Sequence, residues 1–262
     1  MSTKKTFLVP NTSACFFMGL ISGVFFYAVL FFSDKFLNVS LGRMLGPIND
    51  HAFVMFIYAS LYILFFWGVI SIINKNILIN SERNALTTLE KNLDSCRIIS
   101  QRSEVDNLRN RILHSGSQAQ KIRNSMVVQT LLFLVDHCLV TETSKKVLGI
   151  FTKRLDTLEK HIESSYNILR YIAWAIPSLG FIGTVMGIGA ALSNVDFIAQ
   201  DITLVTKPLG TAFDTTLIAL VESMVLMYFL YSTQRKEEDL LNSVDLFCQE
   251  KFIINLSLGE KK

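Results

Sequence analysis

The chain has 262 residues, half of them hydrophobic and only 18% charged, with a net charge of +3 and a mean hydropathy of +0.39. A soluble domain carries about 25% charged residues, and here the apolar residues are clustered rather than spread. These facts exclude an ordinary soluble protein and place the chain in a membrane; so small a net charge also leaves no electrostatic footprint for nucleic acid.

Residues 1–12 form a cytoplasmic N-terminus carrying Lys4 and Lys5. The apolar run that follows, Ala14 to Phe32, is longer than a signal-peptide core and ends in Ser33-Asp34-Lys35 rather than a small-x-small cleavage site, so it reads as a retained first span, 13–32. A connection over 33–51 holds Gly42, Gly46 and Pro47, and a second span follows at 52–73. Neither span contains a charge. Their small residues (Gly19, Gly23, Ala59, Ser60) are sparse, so both read as lipid-facing packing helices.

Residues 74–169 change character. Fourteen of the twenty-five lysines and arginines lie between Lys75 and Lys160, whereas the two connections on the other side hold only Lys35, Arg43 and Lys207. With Lys4/Lys5 and Arg235/Lys236 on the same side, this asymmetry predicts both termini and a helical insertion in the cytoplasm. Leu86, Leu89 and Leu93 begin a helical stripe that continues less cleanly to Val105, Leu108 and Ile112, and His114 to Gln118 interrupts it. Met126 to Val140 is apolar, but about 15 residues suit a buried helix better than a span. Leu148, Phe151, Leu155, Leu158, Ile162, Ser165 and Leu169 alternate steps of three and four, a heptad-like face. No breaker separates that face from Ile172, which predicts one long helix rising into a third span, 170–193. Pro177 falls inside it, removes one backbone hydrogen bond and should bend it.

A connection, 194–207, leads to a fourth span, 208–231. The cytoplasmic tail, 232–262, carries an amphipathic helix (Leu240, Leu241, Val244, Phe247, Cys248) suited to packing on the insertion. The fold class is therefore all-α: a polytopic membrane protein with four transmembrane helices and a helical cytoplasmic domain between spans two and three.

The last two spans carry the chemistry. Gly180, Gly183, Thr184 and Gly187 share one face of the third, where small residues let helices approach closely. In the fourth, Ala212, Thr216, Ala219 and Ser223 form a small, partly polar face with Thr215 and Glu222 at its edge. Thr184 taken alone reads as a threonine bonded back to its own helix. Glu222 falls near mid-membrane at about 1.5 Å per residue. There an ionised, unpaired carboxylate is costly, and such residues usually face a bundle interior or a water-filled cavity; Glu222 is either such a group or a protonated or paired structural carboxyl. Asp214, nearer the outer end, suits a pair with Lys207.

Cys15, Cys96, Cys138 and Cys248 are widely spaced and show no CxxC, so neither disulfide nor metal site is expected. His114, His137 and His161 have no ligand spacing, and there is no nucleophile or phosphate-loop motif. The chain is read as a non-enzyme with no cofactor.

Ile176-Pro-Ser-Leu-Gly-Phe-Ile-Gly-Thr-Val-Met-Gly-Ile188 and Leu209-Gly-Thr-Ala-Phe-Asp-Thr-Thr-Leu-Ile-Ala-Leu220 resemble the two signature spans of the MotA/TolQ/ExbB proton-channel family. The four-span layout resembles the MotA branch, and the Gly-Thr-Ala-Phe-Asp-Thr-Thr wording is also similar to the membrane part of ZorA, an anti-phage energiser. The resemblance implies an ion-conducting, proton-driven stator subunit of the bacterial inner membrane. Five copies would surround a dimer of a MotB/TolR/ExbD-like single-span partner that supplies the ion-accepting aspartate, with a cytoplasmic effector receiving the work. It matches Thr184 and Thr216 to pore-facing threonines and Pro177 to the proline that begins the third span. The chain departs from the pattern at Ala219 (glycine in the family), at Thr211 (glutamate in ExbB-type members) and near Val225, where a proline is usual; Glu222 is an extra acid. The competing reading is a non-conducting membrane scaffold whose cytoplasmic helices recruit a soluble partner.

Overall fold

The computed structural model describes residues 12–37, 52–93, 125–140, 144–199 and 201–250. Those residues are helical, with no strand among them: α1 (Thr12–Leu37), α2 (Ala52–Leu93), α3 (Met126–Val140), α4 (Ser144–Ser165), α5 (Asn167–Ser193), a 3-10 turn (Val195–Phe197) and α6 (Thr203–Cys248). Three stretches, Val54–Lys91, Lys146–Ser193 and Thr203–Cys248, are long and apolar enough to cross a membrane. The N-terminal segment, most of the first connection, Cys96, the stripe positions Val105, Leu108 and Ile112, the break at 114–118 and the end of the tail lie outside the described residues.

The chain divides into two compact units. Of the described residues, one unit gathers those within 12–74 and 166–232; the other gathers those within 75–165 and 233–250. The second, charged unit has an ordinary apolar core. Leu131 and Val127 of α3 are fully buried among Ile79, Leu86 and Leu89 of α2, Val147 and Phe151 of α4, and Leu240, Val244 and Phe247 of α6. The 15-residue apolar segment is thus the centre of a helical core. Its first turn is capped from another helix: Met126 and Val127 donate backbone N–H groups to the buried Glu82 carboxylate at 3.1 and 3.3 Å, and Ser125 donates its hydroxyl at 2.5 Å. A carboxylate there satisfies orphan donors and complements the helix dipole. Lys75 and Glu237, both almost fully buried, pair at 2.7 Å, and Asn76 donates to Thr233 at 2.8 Å one position on.

The expected long helix is present as the stretch Lys146–Ser193, with one turn residue, Tyr166 at φ −90°, ψ −9°, between α4 and α5. Arg170 N–H donates to the Tyr166 carbonyl at 2.9 Å. One expectation is corrected: the apolar face of α4 starts one residue early. Val147 is buried in the core with Val127 and Leu131, and Leu148 is 40% exposed.

The apolar unit is built differently. A Cβ on Gly19 would lie 2.5 Å from the Trp67 Cα, and one on Gly23 would lie 2.7 Å from the Ile63 Cα, so α1 meets α2 backbone to backbone. Gly19 and Gly23, read from the sequence as sparse small residues on lipid-facing packing helices, form a small-xxx-small contact. Outward, the unit displays large apolar side chains, including Phe25, Phe181 and Met224.

Candidate functional site

The site is the pair α5 and α6, within the apolar unit. Its glycines set the spacing: a Cβ at Gly180 would meet the Ala219 Cβ at 2.5 Å, one at Gly183 the Thr215 hydroxyl at 2.6 Å, and one at Gly187 the Ala212 Cβ at 2.6 Å and the Pro208 carbonyl oxygen at 2.8 Å. No larger side chain fits along this seam.

Close approach brings the hydroxyls together. Thr184 and Thr216, both half-buried, are in hydrogen-bond contact through their Oγ1 atoms. Thr216 also donates to the Gly180 carbonyl at 3.0 Å, and Thr184 reaches the Gly180 and Ala212 carbonyls at 3.3 and 3.2 Å. Thr184 therefore bonds both to its own helix and across the seam. Thr215, buried, donates to the Ala212 carbonyl at 2.8 Å. Asp214 sits half-buried on α6. Glu222 is 8% exposed, on the same buried stripe as Thr215, Ala219 and Leu226, and its Oε2 has no hydrogen-bond partner among the described residues. Leu226, one turn further on, packs at Gly68 of α2.

Pro177 lies inside α5 and has no N–H to offer the carbonyl four residues back, that of Ala173. Ser223 of α6 donates its hydroxyl to that oxygen at 2.8 Å. The signal for this bond was in the chain: a proline within a span frees one identifiable carbonyl, and a hydroxyl on the facing helix can take it.

The entry into α6 also differs from expectation. The helix begins at Thr203, so Pro208 is inside it rather than at its start. Asp201 accepts from the Thr203 N–H at 2.9 Å and its hydroxyl at 2.6 Å, and these bonds hold the Asp201 carboxyl below its usual range.

Chemically, a threonine hydroxyl offers one proton and two lone pairs but does not titrate near neutral pH. The Thr184–Thr216 pair can orient water or a cation; it cannot by itself be loaded and unloaded with a proton. Within the apolar unit, the carboxyls of this helix pair are those of Asp214 and Glu222. Among the described residues no cluster of His, Cys, Asp or Glu could hold a metal ion, and Cys15 and Cys248 are buried free thiols.

Residues 104–245, more than half of the chain, match the model of the MotA/TolQ/ExbB proton channel family. No curated protein and no solved structure matches the chain.

Proposed function

Because the chain belongs to the MotA/TolQ/ExbB proton channel family, we propose that this multi-pass membrane protein is an ion-conducting stator or energiser subunit that couples an ion-motive force to mechanical work. The observation that carries the reading is the meeting of the Thr184 and Thr216 hydroxyls on a glycine-narrowed seam. Hydroxyls without a titrating chain call for a carboxyl supplied in trans. In this reading five copies surround a dimer of a single-span partner in the inner membrane, and that partner's aspartate loads and unloads beside the threonines. α1 serves as a fourth span, and the charged unit stands in the cytoplasm with both termini. Asp214 and Glu222 are further carboxyls along the path.

The test is reconstitution of the chain with its single-span partner in liposomes, with proton and sodium flux read in parallel. Thr216→Val, which keeps the shape and removes the hydroxyl, is expected to cut flux about tenfold, a loss of about 1.4 kcal/mol; unchanged flux removes the site assignment.

A second reading has one observation behind it. Within the charged unit, a hollow of about 510 Å³ is floored by Leu155, Ile162 and Leu241 and walled by Asp156, Glu159, Glu163, Glu238 and Asp245. Such a surface suits a basic segment of a soluble effector. If the protein were only a scaffold, reversing these carboxylates would abolish activity while Thr216→Val would leave it intact.

A further inference from the structure

Most hydroxyls along α5 and α6 bond back to their own helix. Ser178 donates to the Trp174 carbonyl at 3.0 Å, Thr211 to that of Lys207 at 3.1 Å, and Thr215 to that of Ala212 at 2.8 Å. Ser223 does not. Its Oγ crosses to the Ala173 carbonyl at 2.8 Å, the oxygen that Pro177 leaves without its helical donor. Where water is excluded, a freed carbonyl has to find another donor, and facing helices and serine side chains are the usual source. The geometry is also selective: Ala173 is buried, and Gly180 packs on Ala219 one turn of α6 before Ser223, so the two backbones are held close at this depth.

We propose that Ser223 is a positioning residue that clasps the proline break of α5 to α6, making the two helices one mechanical piece despite the missing hydrogen bond. Without the clasp, the segment of α5 before Pro177 is free to swing about the break, and the seam beyond it, from Gly180 to Thr184, loses its anchor on that side. The role in conduction rests on the stator reading above; the clasp itself does not.

The experiment separates them. Spin labels are placed at Trp174 and Met224, exposed positions on either side of the clasp (65% and 72%), in a full-length background whose native cysteines are replaced by alanine. The protein is held in lipid nanodiscs and the inter-label distance distribution is measured. A narrow distribution is expected for the parent and for Ser223→Thr, which keeps the hydroxyl, and one about twice as broad for Ser223→Ala. The double variant Pro177→Ala/Ser223→Ala is expected to be narrow again, because the restored N–H of residue 177 takes the Ala173 carbonyl. A Ser223→Ala distribution equal to the parent's overturns the proposal, as does a double variant as broad as the single one. If Ser223→Ala fails to fold, a folded double variant supports the clasp and an unfolded one overturns it.

In the complex with the single-span partner, flux per assembled particle is expected to fall about tenfold in Ser223→Ala and to return in Ser223→Thr and in the double variant. Parent protein with no flux would sink the stator reading and leave the clasp to be judged on distances alone. Parent flux that Ser223→Ala leaves unchanged overturns the clasp's role in conduction.

Discussion

The two units solve the same packing problem with different chemistry. In the charged unit, helices are held by large apolar side chains such as Leu131, Phe151 and Val244, buried against one another. In the apolar unit, the contacts run through Gly19, Gly23, Gly180, Gly183 and Gly187, and large side chains such as Phe181 and Met224 point outward. In water, burying apolar surface drives association. In lipid that drive is absent, so helices associate through close backbone approach and hydroxyl-to-carbonyl bonds. The comparison teaches that leucine packs inward in both units, Leu61, Leu226 and Leu230 being buried in the apolar one, but that among the described residues only the apolar unit adds glycine seams to those contacts.

Substitutions can break or sharpen that contrast. The largest effect is expected in the charged unit's buried ion pair. Lys75→Met leaves the Glu237 carboxylate without its buried counter-charge and should cost about 3–5 kcal/mol, while Lys75→Met/Glu237→Met should recover most of it. Chemical denaturation of the single and double variants measures the difference, and a double variant no better than the single would show that the pair is not a closed unit. Next, Leu131→Ala opens a cavity in the core and should cost about 3 kcal/mol in the same assay. A leucine facing outward in the apolar unit, Leu217→Ala, should cost far less, and equal losses would erase the contrast.

Gly187→Ala should act in the reverse direction, destabilising by addition. Its methyl would enter the space 2.8 Å from the Pro208 carbonyl oxygen, at a cost of about 2 kcal/mol, seen as reduced thermal stability in detergent. Gly189→Ala, where a Cβ would meet nothing within 4 Å, is the control and should be neutral or better. The smallest effect concerns Asp201. Its depressed carboxyl pKa means that its bonds to Thr203 are fully present at neutral pH and are lost as pH falls through and below the usual carboxylate range near 4. Asp201→Asn should fray the first turn of α6 slightly, and hydrogen exchange of the 203–206 amides should show parent and variant converging at low pH.

Much of the architecture is legible from the chain because its signals are local. A stretch of about 20 apolar residues states its own length requirement, and the 15-residue run of α3 is too short for that and ends up in a core. The tail helix announces its buried face at Leu240, Val244 and Phe247 by helical period alone. The glycines of α5 can be read as a packing face, and Pro177 as a lost hydrogen bond, before any coordinates exist.

What only the tertiary structure decided is which distant groups meet. Lys75 and Glu237 are 162 positions apart, Glu82 caps a helix that starts 44 positions later, and Ser223 finds a carbonyl 50 positions back. The choice of Val147 over Leu148 belongs to the same class. Period and length are set within a few turns of one helix, whereas register and rotation between helices depend on how every side chain at the contact packs at once.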